Sequence, residues 1–169
     1  MQREHVSIPK MIFYFLFILI FYALQTSIFG QWSLGGYHID LLPAMVASAA
    51  MLGGPTEGMI VGLLVGILYD LSYISIDGLY PIYFLLFGLL AGVICRLALS
   101  ESYISLVLLN TLEMLVLSLL RYFCYLLPQK GASLGLVLQQ TAGGVILSGL
   151  FCFAPYVPMS ILSHTFDSR

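Results

Sequence analysis

The chain has 169 residues, 60% of them hydrophobic and 8% charged, with a mean hydropathy of +1.02. A soluble domain carries about 25% charged residues to wet its surface, so six Lys/Arg and eight Asp/Glu cannot cover a soluble particle of this size. The chain reads as an integral membrane protein. Six spans of about 20 residues use roughly 120 residues, which leaves no room for an extramembrane catalytic or ligand-binding domain, and a net charge of −2 leaves no basic surface for nucleic acid.

The first apolar run, Met11 to Phe29, follows Arg3 and Lys10. It is longer than the roughly 7–15-residue apolar region of a signal peptide, and no Ala-x-Ala-like cleavage site follows it, so a retained first transmembrane helix is expected. Residues 30–40 then form an external loop, with Trp32 and Tyr37 suited to the membrane interface. The run Leu41 to Leu52 is rich in small residues and too short to cross as a straight helix. It either extends into the loops or is tilted, broken or partly re-entrant. Gly53-Gly54-Pro55-Thr56-Glu57-Gly58 ends it as a turn. A third helix is expected over 59–76, closed by a tight turn at Asp77-Gly78, and a fourth over 79–95. After a polar connection, a fifth covers 103–127, long enough to span with tilt. Residues 128–133 break the chain, and a sixth helix runs over 136–162, with Pro155 and Pro158 expected to kink its last turns.

With six spans and a cytoplasmic start, Arg3, Lys10, Arg96 and Arg169 fall inside, Lys130 falls in an outer loop and Arg121 lies within the fifth span. That distribution follows the positive-inside rule. The expected fold is an all-α, S-component-like bundle of about six transmembrane helices in a single polytopic domain, residues 1–169, with both termini cytoplasmic.

In lipid, helices associate through close packing of small residues. Gly58, Gly62 and Gly66 recur every four residues on the third helix, and Gly88 and Gly92 do so on the fourth. These make flat faces for packing within the subunit or against a partner. Asp70 continues the third-helix face. An ionisable residue inside a span is costly and needs a named partner. At 1.5 Å per residue, Asp70 and Arg121 each lie about 9 Å from the outer ends of their expected helices, which makes them candidates for an ion pair. Asp70 capping local backbone, contacting a partner helix or lining a pocket are the alternatives. Glu113 shares a face with Arg121 but is about 12 Å away along the axis. In apolar surroundings it is expected to be neutral and hydrogen-bonded, near Asn110; a proton-coupled transporter would use such a group, though a structural role is the commoner one.

Catalysis finds little in the sequence. His5, His38 and His164 form no metal-binding pair, no serine has a triad, and no glycine loop follows a phosphate-binding pattern. Asp70 and Asp77 come closest to a carboxylate dyad but lie about 10 Å apart along one helix. Cys95, Cys124 and Cys152 are widely spaced within or at the ends of apolar runs, which suits small hydrophobes rather than ligands or a disulfide framework. No cofactor or metal is expected.

The stretch from His38 to Gly92 resembles the rod shape-determining protein MreD family. The residues that carry the likeness are Ile39-Asp40-Leu41-Leu42, then Gly58 through Gly66 leading to Ile67-Leu68-Tyr69-Asp70-Leu71, then Gly78, and Gly88-Leu89-Leu90-Ala91-Gly92. Ile39 departs from the family, where proline is common. The resemblance implies a non-enzymatic subunit of the bacterial cell-elongation machinery in the cytoplasmic membrane. Its implied partners are MreC and, through it or directly, the actin-like MreB, a glycosyltransferase of the shape, elongation, division and sporulation class, a class B penicillin-binding protein and membrane lipids. An alternative resemblance is to the substrate-binding S component of an energy-coupling-factor vitamin transporter. Such components carry a small-xxx-small face on the first helix, whereas this first helix is bulky apart from Ala23.

Overall fold

The computed structural model of the protein describes residues 8–29, 40–72, 78–98, 102–126 and 134–167. They are almost entirely helical, and no strand occurs among them. Helix α1 (Ile8–Leu24) runs into a π-helical turn, Gln25–Phe29. Helix α2 is Leu42–Ser72, α3 is Leu79–Ala98, and α4 (Tyr103–Arg121) continues into a second π-helical turn, Tyr122–Leu126. Helices α5 (Leu134–Phe151) and α6 (Phe153–Asp167) close the chain. Four helical stretches are long and apolar enough to cross a membrane, and a fifth is added if the bent pair α5–α6 makes one span. Expectations placed on Arg3, His5, Trp32, Tyr37, His38, Ile39, Asp77, Lys130 and Arg169 lie outside the described residues.

Helix α2 is two helices in one. Gly54 sits inside it with φ 81° and ψ −168°, a conformation essentially confined to glycine. Pro55 follows at the first position of the next helix, where its missing N–H costs nothing. A Cβ placed on Gly58 would come within 2.9 Å of the Ala50 Cα, whereas eight residues of straight helix span about 12 Å. The chain therefore folds back at Gly54 into a hairpin, with a first limb over 42–53 and a second over 55–72. The Gly-Gly-Pro break expected from the sequence is where this reversal occurs.

The first limb is the centre of the molecule. Every residue from Leu41 to Met51 is buried, as expected of a helix that is apolar or small all round. Its lone hydroxyl, Ser48 Oγ, donates back to the Ala44 carbonyl at 2.6 Å. One face, with Leu42, Met45, Val46 and Ala49, joins Tyr14 and Ile18 of α1, Val61 and Val65 of the second limb, Phe84 of α3 and Met159 of α6. The other face, with Ala44, Ala47 and Ala50, packs with Ala91 and Cys95 of α3, Leu106 and Leu109 of α4, and Cys152. Cys95 and Cys152 thus serve as the small buried residues the sequence suggested.

The second limb and α3 pack backbone against backbone. A Cβ on Gly58 would lie 2.6 Å from the Gly88 carbonyl oxygen, and one on Gly66 would lie 2.5 Å from Pro81 Cα. One on Gly62 would collide with the Phe84 carbonyl, and one on Gly92 with Pro55. All five glycines singled out from the sequence therefore lie in one antiparallel interface inside the subunit.

The bend expected at Pro155 and Pro158 falls elsewhere. Helices α5 and α6 meet at 41° with the break at Cys152, one turn before Pro155. A proline ring clashes with the carbonyl four residues earlier, which for Pro155 is that of Phe151, the last residue of α5. The helix resumes when the Tyr156 N–H bonds the Cys152 carbonyl at 3.3 Å. At its N-terminus, α4 is capped by Ser102, whose Oγ accepts from Ile104 N at 3.4 Å.

Candidate functional site

Polar side chains collect at the two ends of the bundle and at one place in its middle. At one end, the hairpin turn meets the start of α1 and the end of α3. Lys10 Nζ bonds Glu57 Oε1 at 2.7 Å, with the side chains only 3% and 6% exposed. The Tyr14 hydroxyl, one turn along α1, donates to the other oxygen, Glu57 Oε2, at 3.1 Å. Glu57 lies in the first turn of the second limb, where the positive end of the helix dipole favours a carboxylate. The Arg96 guanidinium of α3 lies over the turn, where a Cβ on Gly54 would be 2.5 Å from Nη2. A buried ion pair needs further hydrogen bonds to offset desolvation, and Tyr14 supplies one.

At the opposite end, Gln25 ties the end of α1 to the start of α2. Its amide nitrogen donates to Asp40 Oδ1 at 3.0 Å, and its oxygen accepts from the backbone N–H of Leu41 and Leu42 at 3.0 and 3.2 Å. These are orphan donors of a helix N-terminus, satisfied by a side chain. Asp70 also acts here. Its Oδ2 accepts from the Gly78 backbone N–H at 2.9 Å, joining the end of the second limb to the residue before α3, where Gly78 has φ 84°.

Asp70 is thus held by local backbone rather than by Arg121, and the ion pair expected between them gives way to the capping alternative. Matched depth fixes one coordinate only. The side chain also needs the right angle around the helix, and Asp70 shares the face of Gly58, Gly62 and Gly66, which is turned toward α3. Arg121 is the last residue of α4.

The third polar group lies between α4 and α5. Glu113 and Asn110 are fully buried and, three residues apart on α4, occupy one face. Asn110 Nδ2 donates to Ser148 Oγ of α5 at 3.3 Å. The Ser148 hydroxyl in turn lies 2.8 Å from Met114 Sδ and 3.2 Å from the Val145 carbonyl. The Tyr83 hydroxyl of α3 donates to the Glu113 backbone carbonyl at 2.6 Å. Both Glu113 carboxyl oxygens and Asn110 Oδ1 receive no hydrogen bond from the protein. The sequence expectation of Glu113 buried near Asn110 is met in placement, and the hydrogen bond expected between protein groups and its carboxyl is not formed.

Sequence reasoning placed Lys10 as a flanking charge and Glu57 as a turn residue, and so missed their pairing. The available signal was weak: a tyrosine one turn after Lys10, and an acid two residues after a helix-starting proline. Among the described residues, no group of three or more His, Cys, Asp or Glu could hold a metal ion. Comparison with protein-family models, with curated proteins and with solved structures finds no match to this chain.

Proposed function

We propose that this protein is a non-enzymatic subunit of the bacterial cell-elongation complex, related to the MreD family, which assembles or regulates peptidoglycan synthesis through helix contacts with MreC and wall-synthesis partners. The observation that carries the reading is that the glycines of the resemblance and its Asp70 form one packed unit. Gly58, Gly62 and Gly66 meet Gly88, Phe84 and Pro81 directly, and Asp70 closes the same unit on Gly78. A sequence pattern of glycines and one aspartate thereby acquires a physical reason within a single helical hairpin and its neighbour.

In this reading the chain crosses the cytoplasmic membrane six times, with the two limbs of α2 as the second and third passes. The first limb, about 18 Å long at 1.5 Å per residue, is shorter than the roughly 30 Å hydrocarbon layer. Its ends meet protein rather than lipid, which is where broken helices are tolerated. The gathering of Lys10 and Arg96 at the hairpin-turn end supports a cytoplasmic position for that end.

Affinity purification of the full-length protein from membranes of a rod-shaped bacterium tests the proposal. MreC and the wall-synthesis enzymes should be recovered with it, and depletion of the protein should round the cells. Purification without any of them, with unchanged cell shape on depletion, would overturn it. Reporter fusions at Met1 and Arg169 should both be active only in the cytoplasm.

A further inference from the structure

We propose that Glu113 and Asn110 form a buried site for one small monovalent cation, a proton or a sodium ion, held where α4 faces α5. Three buried acceptor oxygens come from one face of α4, the two of the Glu113 carboxyl and the amide oxygen of Asn110 three residues before it, and none receives a hydrogen bond from the protein. Both side chains have zero exposure. A bare carboxylate buried without a partner is strongly disfavoured, so it is neutralised by whatever positive charge can reach it.

The described basic side chains do not supply that charge. Lys10 is bonded to Glu57 at 2.7 Å, and Arg96 lies at the Gly54 turn. Arg121 lies eight residues further along the same helix, about 12 Å away along its axis. Among the described residues the neighbouring elements bring no positive charge either. The first limb of α2 carries no titratable residue over 42–53. From α3, Tyr83 already uses its hydroxyl on the Glu113 backbone carbonyl. Cys152, at the α5–α6 break, is buried and brings no positive charge. On α5, Ser148 accepts from the Asn110 amide, which holds Asn110 in place against the facing helix.

The donor set also selects the charge of the guest. One carboxylate with an amide oxygen and a nearby hydroxyl balances a single positive charge. Divalent ions draw on more oxygen ligands, usually with several carboxylates. Proton and sodium share the required chemistry, a single positive charge at the carboxylate oxygens.

The test uses full-length protein in phospholipid nanodiscs. Thermal unfolding is followed as sodium chloride replaces choline chloride at fixed ionic strength, and separately as pH is varied without sodium, for wild type and for Glu113→Gln. A sodium site raises the wild-type Tm by about 3–5 °C per tenfold sodium beyond half-saturation and leaves Glu113→Gln flat. A proton site leaves both insensitive to sodium, while wild type loses stability relative to Glu113→Gln as pH rises. Identical responses of the two proteins in both arms would overturn the proposal and leave a buried water as the occupant. Infrared spectra of the wild type alone keep the test independent of the variant's folding. A protonated-carboxyl band at neutral pH, or a carboxylate band that shifts when sodium is added, supports the site. A carboxylate band alone, unmoved by sodium, overturns it.

Discussion

The two halves of the bundle solve the same problem in opposite ways. Where the second limb of α2 meets α3, side chains are absent at the crossing and backbone touches backbone through Gly58, Gly62, Gly66, Gly88 and Gly92. Where α4 meets α5, the Asn110 and Ser148 side chains make contact, and at one α5 glycine there is room for a side chain: a Cβ on Gly149 would find only Val107 Cγ1 at an ordinary 3.7 Å. The buried acids differ in the same sense. Glu57, at the head of the glycine-packed half, has both oxygens satisfied by Lys10 and Tyr14, whereas Glu113 in the other half has neither satisfied by the protein. The glycine-packed half is therefore closed to change, and the α4–α5 half retains a place where a small guest can act. Van der Waals contact between helices is the main attraction available in lipid, which is why the half without side chains at its crossing is the more sensitive to shape.

The largest expected effect is at the ion pair. Glu57→Ala strands the buried Lys10 charge and should cost about 3–5 kcal/mol, read as loss of folded protein in thermal or denaturant unfolding. The double variant Lys10→Met/Glu57→Leu should recover a large part of that loss, since no charge remains buried. Simple addition of the two single penalties would mean that the residues act independently.

Next in size is the glycine interface. Gly62→Leu drives a side chain into the Phe84 carbonyl and should cost about 1–3 kcal/mol or more, with reduced recovery from membranes. Even Gly62→Ala should destabilise, because its Cβ already meets that carbonyl. Unchanged stability in both would show that the two halves do not differ as described.

A smaller effect is expected at Asp70. Asp70→Ala removes the acceptor for the Gly78 N–H and should cost about 1–2 kcal/mol. Asp70→Asn keeps an oxygen in place and should cost less, and Arg121→Gln should leave the Asp70 penalty unaltered. A strong dependence of one on the other would restore the pairing between them.

The smallest effect completes the contrast. Gly149→Ala should be neutral or stabilising by up to about 1 kcal/mol, since alanine is the better helix former and space is available. A loss as large as that of Gly62→Ala would make the α4–α5 packing glycine-dependent as well.

Composition, spacing and turn chemistry determined much of this protein before any contact was known. The scarcity of charge demanded helices with lipid-facing apolar surfaces, Gly-Gly-Pro demanded a break near Gly54, and glycines four apart demanded a flat face. These are one-dimensional properties, because each depends on residues within a few turns of one another. What only the tertiary structure decided is which faces meet. Depth along a helix suggested Asp70 with Arg121, but the angle around the helix turned Asp70 toward α3 and onto Gly78. Lys10 and Glu57 are 47 residues apart and look like separate flanking charges until the hairpin at Gly54 brings the second limb's first turn against α1. Pro155 marked a bend, but the clash it relieves lies four residues back, so the break falls at Cys152. Glu113 could be placed beside Asn110 by counting, yet its lack of a protein donor depends on every neighbouring helix at once. Long-range pairings of this kind are set by how whole helices are oriented and packed, which no local pattern encodes.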